Sequence, residues 1–329
     1  MNRLIKGLVL GKFLPLHKGH IHLLQTAREN SDQLTIVVCS LSNEPIDGKI
    51  RFEWIKKVFP DCNVVHLDDD TIPQEPKDHP DFWNIWKKAL KGFHPDPLDY
   101  VFTSEEYGNR LAQELECKHW LVDIDRKTFP VSGTKIRTQP MKYWDFIPEH
   151  VRDYFVKRVL ITGSESCGKS TMTENLAKHF NTIGVQEWAR EYLKNMNFNI
   201  KDLDQIAFMQ YKLQQEALEK ANKVYFSDTS AIETYIYSMH YLGKSSQIIN
   251  KYLSLQKENY DLVLLLTPEI KWVNDGLRNL EDQEVRWKMH QKYIELLDKL
   301  GIKYHIITGS DYNDRTQQAI KLVNSLIGE

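Results

Sequence analysis

A chain of 329 residues exceeds the span of one hydrophobic core, and at roughly 100 to 200 residues per domain two domains are expected. With 41% hydrophobic and 27% charged residues and a formal net charge of -2, the composition suits a globular enzyme or binding protein and offers no basic field for DNA or other nucleic acid. Cys39, Cys62, Cys117 and Cys167 are too scattered for a disulfide framework or a Cys-x-x-Cys zinc site, no apolar run approaches the roughly 20 residues of a membrane span, and the N-terminus lacks a signal-peptide h-region, so a cytoplasmic protein is expected.

Short apolar runs alternate with longer amphipathic ones, the pattern of βα units in a parallel sheet. The spacing predicts strands over residues 5–10, 34–39, 62–67, 99–103 and 119–122, separated by helices over 18–30, 49–58, 81–92 and 105–116. Asp68, Asp69 and Asp70 follow the third strand; three consecutive residues cannot all face one ion, so a solvated loop is expected rather than a metal cluster. Residues 140–156 are too aromatic for a linker and predict a packed connector, with the boundary near Lys157. Beyond it strands are expected over 158–162, 183–186, 224–227, 262–266 and 304–307, and helices over 169–181, 202–221, 231–243, 246–258, 283–299 and 312–327. The fold class is therefore α/β, two doubly wound parallel-sheet domains spanning 1–156 and 157–329, each gathering ligands at the carboxyl ends of its strands.

The first phosphate-handling segment is Gly-Lys-Phe-Leu-Pro-Leu-His-Lys-Gly-His at residues 11–20, directly after the strand Leu8-Val9-Leu10. Gly11 permits a tight turn, Pro15 stiffens the loop, and His17 and His20, three apart at a helix N-terminus, share one face. Imidazole donors added to a helix dipole and free N–H groups suit charge growing on an α-phosphate and a leaving pyrophosphate. Ser132-Gly133-Thr134-Lys135-Ile136-Arg137 complements it: Ser132 and Thr134 can cap a helix and bind phosphate, and Arg137 one turn on can neutralise pyrophosphate. A zinc reading of His17 and His20 lacks a third ligand of the right type nearby. Trp83 is a candidate stacking platform and Trp86 a packing residue, although indoles at helical spacing are more often both core.

The second segment, residues 163–170, satisfies Gly-x-x-x-x-Gly-Lys-Ser between a strand and a helix. Gly163, Ser166, Gly168 and Thr171 belong to the ATP-binding loop and its helix start, Lys169 reaches the β and γ phosphates of ATP, and Ser170 ligates Mg²⁺ with Asp228 at the end of an apolar strand. Glu187 is the candidate base for a substrate hydroxyl, with Arg190 beside it on the substrate; surface ion pairing is the plain alternative. Trp272, Asp275, Gly276 and Arg278 make up a candidate lid, with Arg278 as an arginine finger, Trp272 and Asp275 on the substrate and Gly276 as a hinge; an ordinary surface loop is the alternative, against which only the neighbouring P-loop argues.

His17-Lys18-Gly19-His20 together with Ser132 to Arg137 resembles the nucleotidyltransferase superfamily, which implies that His17 and His20 contact the α and β phosphates, that Lys12 and Arg137 compensate charge, and that Gly11 and Phe13 shape the ATP pocket. Adding the second segment and the stretches Arg137 to Pro148, Glu187 to Glu191, Asp228-Thr229 and Trp272 to Arg278, nearly the whole chain resembles the bacterial NadR family. The resemblance implies a nicotinamide mononucleotide adenylyltransferase domain followed by a P-loop ribosylnicotinamide kinase domain, with ATP, ribosylnicotinamide and nicotinamide mononucleotide as substrates, NAD as product and Mg²⁺ as cofactor. Some members carry an N-terminal helix-turn-helix; with a catalytic strand starting within a few residues of Met1, none is expected here. Asn274 stands where the lid pattern often has a second Asp, and the segment 41–50 looks short. A homo-oligomer is compatible with the sequence. The alternatives are an NAD- or ATP-sensing regulatory protein with weak catalysis, or a pantetheine-phosphate adenylyltransferase fused to another nucleoside kinase.

Overall fold

The computed structural model describes residues 3–94, 97–195, 197–256, 259–273 and 280–328. The chain divides into two compact units, Met1–Val151 and Arg152–Glu329. In the first, strands β1 (Lys6–Gly11), β2 (Gln33–Ser40), β3 (Asn63–Asp68), β4 (Tyr100–Thr103) and β5 (Lys118–Leu121) form one sheet in the order β3-β2-β1-β4-β5. All of its pairings are parallel, with Gly11 of β1 level with Val38 of β2. Helices α1 (Lys18–Glu29), α2 (Gly48–Val58), α3 (Phe82–Leu90), α4 (Tyr107–Glu114), α5 (Gly133–Thr138) and α6 (Glu149–Arg152) complete the βα units and their extension. β2 reads as a near-continuous apolar run because seven of its eight residues are buried, as in a strand covered on both faces.

The second unit repeats the architecture with another winding. Strands β6 (Lys157–Gly163), β7 (Gly184–Val185), β8 (Val224–Asp228), β9 (Leu262–Leu266) and β10 (His305–Ile307) lie in the order β10-β9-β6-β8-β7, again all parallel. Its helices are α7 (Lys169–His179), α8 (Trp188–Tyr192), α9 (Ile200–Lys220), α10 (Ala231–Leu242), α11 (Gln247–Gln256), α12 (Gln283–Leu300) and α13 (Tyr312–Ile327). Val159, Leu160 and Ile161 of β6 are fully buried, each worth about 1.5–3 kcal/mol in burial. In both sheets the strand before the phosphate segment is central and flanked by strands reached in opposite directions, which leaves a crevice at its carboxyl end.

The predicted strands and long helices are all present, with β7 shortened to two residues. The five-residue α8 and four-residue α6 are additional; so short a helix carries too little periodicity to register in sequence. Met141, Trp144, Ile147 and Val151 are buried, so the connector packs as a folded segment. Asp69 and Asp70 are exposed and hold a turn by accepting from Thr71 and Ser42, and among the described residues no cluster of metal-ligand type occurs. Among the described residues no helix is long and apolar enough to cross a membrane.

Candidate active sites

At the end of β1 the chain turns through Lys12–Leu16, with Phe13 in the left-handed region, and enters α1 at His17. His17 is the helix N-cap: its Nδ1 accepts the His20 N–H at 3.3 Å. That bond assigns the ring proton to Nε2 in the neutral tautomer, leaving Nε2–H as a donor. The His17 and His20 rings stack with centroids 3.6 Å apart, and Phe13 meets His20 edge-on at 5.2 Å. Burial, with help from Arg126, lowers the His17 pKa to about 4. His20 is lowered well below its ordinary value by burial, then by His17 and Arg126, and its buried Nδ1 has no partner among the described residues.

The distant segment at 132–137 closes on this loop. Ser132 caps α5 by accepting the Lys135 N–H at 3.3 Å, and Arg137 donates to the Leu14 carbonyl and to Thr134 Oγ1 at 3.3 Å. A Cβ on Gly133 would lie 2.3 Å from the Leu14 carbonyl oxygen, so only glycine allows the two segments to meet. Gly11, Lys12, Phe13, His17, His20, Ser132, Thr134 and Arg137 all line a single cleft of about 690 Å³. Trp83 and Trp86 line it too, in different ways. Trp86 is 8% exposed and its indole N–H donates to the Pro73 carbonyl at 2.9 Å, whereas Trp83 is half-buried with the Arg110 guanidinium 5.9 Å from its ring centroid.

Two features at this cleft escape the sequence reading. Arg51 is wholly buried and donates to the Lys12 carbonyl (2.5 Å) and to Glu44 (2.5 Å), while Glu44 also pairs with the Lys12 ammonium at 2.9 Å. An arginine in an amphipathic helix gives no local sign of pointing inward. Arg126 and Glu105, 3.6 Å apart, face the same cleft from the loops after β5 and β4. Their place just beyond strand ends was the available signal.

In the second unit β6 runs into the loop Ser164–Gly168 and α7. Gly163 (φ 146°) and Gly168 (φ 88°) take backbone conformations closed to other residues, and a Cβ on Gly163 would sit 2.8 Å from the Leu266 carbonyl oxygen. Lys169 is 7% exposed and donates to the carbonyls of Gly163 and Ser164, each at 3.1 Å. Burial opposes its charge, but Cys167, Glu187, Asp228 and Glu233 outweigh it and raise its pKa. Ser170 Oγ donates to Asp228 Oδ2 at 2.5 Å; Thr171 is exposed on the first turn of α7 and Ser166 buried in the loop. Asp228 is fully buried, and burial followed by the charge of Glu187 lifts its pKa to about 7.

Glu187 pairs with Arg190 at 2.9 Å, and both face a smaller cavity of about 110 Å³ bounded by Glu165, Phe198, Tyr237 and Tyr241. The pairing that a plain surface contact would give is present, but at a cavity wall. Trp272 stands apart from that cavity's lining: its indole N–H donates to Glu165 Oε1 at 3.0 Å, tying it to the phosphate loop. Asn274, Asp275, Gly276 and Arg278 lie outside the described residues. Sequence reading also missed the polar scaffold behind Asp228. Gln210 donates to the Asp228 carbonyl at 3.1 Å, Gln214 to that of Thr229 at 3.2 Å, Gln256 to Gln214 at 2.6 Å, and buried Glu233 accepts from Thr162 and Ser230.

Comparison with known proteins matches each site to a family. Residues 8–139 match the cytidylyltransferase-like family and residues 158–315 an AAA domain family. The trifunctional NAD biosynthesis/regulator proteins NadR of Salmonella typhimurium and Escherichia coli are each 31% identical over 98% of this chain and 83% of theirs. A crystal structure of NadR protein in complex with NR superposes with a TM-score of 0.80 at 25% identity, covering 100% of this chain and 98% of that one. With 31% identity over 98% of its length and the two family matches in the two halves, the chain belongs to the NadR family.

Proposed function

We propose that this chain makes NAD in two ATP-dependent steps. The Arg152–Glu329 unit phosphorylates the 5′-hydroxyl of ribosylnicotinamide, and the Met1–Val151 unit adenylylates the resulting nicotinamide mononucleotide. The observation that carries this reading is that each unit places its own phosphate segment at the carboxyl end of the central strand of its own sheet.

In the kinase step Glu187 accepts the proton of the substrate hydroxyl, whose oxygen forms a bond to the γ-phosphorus as the bond to the bridging oxygen of ADP breaks. Lys169 and the loop N–H groups hold the β and γ phosphates, and Arg190 orients Glu187 at the cavity wall. Mg²⁺ fits Ser170 and Asp228, because the Oδ1 of buried Asp228 has no protein partner among the described residues and the donor set is all oxygen. Held by Ser170 and Asp228, it would supply positive charge to offset that of the phosphates. Arg278 as arginine finger, with Asp275 at the substrate and Trp272 beside it through its bond to Glu165, completes the reading.

In the adenylyl step the mononucleotide phosphate attacks the α-phosphorus of ATP in line and pyrophosphate leaves. His17 Nε2–H and His20 donate to oxygens that gain charge, Lys12 and Arg137 offset that charge, and Ser132 and Thr134 hold the leaving group. Gly11 and Phe13 shape the nucleotide pocket and Trp83 stacks on the pyridine ring. The reactions run in the cytoplasm, by a monomer or a homo-oligomer. Purified protein given ribosylnicotinamide and Mg-ATP should yield mononucleotide and then NAD by chromatography; absence of both products overturns the proposal.

A further inference from the structure

Two arginines lie beneath the kinase phosphate loop, and among the described residues no carboxylate forms an ion pair with either. Arg286 on α12 and Arg315 on α13 are each 1% exposed. Arg286 donates to the Ile270 carbonyl at 2.9 Å and to Gln283 Oε1 at 2.9 Å; Arg315 donates to the carbonyls of Thr267 (3.2 Å) and Ile307 (3.4 Å). Arg286 Nε and Arg315 Nε and Nη1 are buried with no hydrogen-bond partner among the described residues. A buried guanidinium left with only carbonyl partners is costly unless an anion completes it.

What these arginines hold is the floor of the phosphate loop. A Cβ on Gly163 would press on Leu266, and one on Gly168 would meet Ile270 and Tyr312, each at 3.1 Å. The carbonyls that the arginines grip, at Thr267 and Ile270, belong to that same 266–270 segment. Cys167 of the loop lies within electrostatic reach of both guanidiniums; of the nearby carboxylates, Glu165, near Arg286, is engaged by Trp272 and Leu280, and Glu269, near Arg315, by Thr267 and Gly309.

We infer that Arg286 and Arg315 are positioning residues for the kinase nucleotide: a buried cationic floor that sets the loop and supplies the charge its bound polyphosphate answers. The inference rests on residues 163–170 being the kinase ATP site. Because their field acts through the loop on phosphate charge, the contribution grows with the number of phosphates, and it does not reach the riboside.

The test is the ATP dependence of ribosylnicotinamide phosphorylation, with ADP as competing ligand, in Arg315→Gln and Arg286→Gln. Glutamine keeps an N–H donor for the carbonyls and removes the charge. Each variant should raise KM for ATP about 10-fold and Ki for ADP about 3-fold, with KM for the riboside and the adenylyl rate unchanged. Arg315→Lys and Arg286→Lys, which keep the charge, should recover most of the affinity and stay folded where a Gln variant does not. Equal losses for ATP and ADP, Lys variants as weak as Gln, or unchanged ATP affinity in folded Gln variants would overturn the inference. A wild-type protein that does not phosphorylate the riboside would instead overturn the kinase reading beneath it.

Discussion

At the end of β1 two imidazoles stack 3.6 Å apart and burial keeps both uncharged, whereas at the end of β6 a buried ammonium faces the carboxyl groups of Glu187, Asp228 and Glu233. The cleft at the first site holds about 690 Å³ and includes its phosphate segments, whereas the cavity walled by Glu187 and Arg190 at the second holds about 110 Å³. The contrast follows from the nucleophiles. A mononucleotide phosphate attacks as an anion and needs no base, so the first site offers room for two nucleotides and neutral donors that strengthen as charge grows. A ribose hydroxyl must lose a proton and meet a triphosphate, and under the proposed assignment the second site serves this with carboxylates close together and an ammonium among them.

Lys169→Ala attacks that division where the effect is largest. Ribosylnicotinamide phosphorylation should fall about 10³-fold while NAD formation from supplied mononucleotide stays within about 2-fold, as followed by separate assays of the two products. Its counterpart, His20→Ala, should lower adenylyl transfer about 10²-fold and leave phosphorylation intact. Loss of both activities in either folded variant would mean that the two sites are not chemically separate.

A smaller change tests how the first site is assembled. Gly133→Ala places a methyl 2.3 Å from the Leu14 carbonyl oxygen and 3.2 Å from Arg137 Nη1, so the loop bearing His17 and the helix bearing Arg137 must separate. Adenylyl transfer should drop roughly 10-fold with the kinase rate as internal control, since small misplacements of donors cost this much. A variant with wild-type kcat/KM would show that the contact between the segments is dispensable.

How much of this the sequence revealed depends on the range of each interaction. The loops at 11–20 and 163–171 are local patterns whose glycine, lysine and histidine spacings carry their own geometry, and the alternating apolar runs give both sheets. Arg137 was legible because its motif is local, but its grip on Leu14, 123 positions earlier, is not. The same holds for Arg51 beneath Lys12 and for the Gln210, Gln214 and Gln256 scaffold behind Asp228: each is a polar residue on an amphipathic helix, and only packing decides that it faces inward. Trp272 shows the reverse. Its composition suggested a cover for a base, while its indole N–H bond to Glu165 is a contact no spacing rule anticipates.

The charge contrast also predicts opposite responses to pH, smaller than the losses above. His17 has a folded pKa of about 4 against 6.5 unfolded, so the unfolded chain takes up the proton first. Its contribution to stability is complete above pH 6.5 and is lost as pH falls toward 4, amounting to roughly 1 kcal/mol between pH 7.5 and 5.5; His20 acts in the same direction. Asp228 has the opposite sign, because a carboxyl raised from 3.8 to about 7 binds its proton in the folded state first. That contribution is complete below pH 3.8 and is lost as pH rises through about 7, so ligand-free protein gains stability from Asp228 on acidification over the interval in which His17 loses it. The difference in Tm between pH 7.5 and 5.5 isolates the two. His17→Asn should shift it by about 2–4 °C toward greater acid stability and Asp228→Asn should shift it the other way, measured without nucleotide or metal. If both substitutions moved the difference in the same direction, the neutral-donor site and the charged site would not be electrostatic opposites.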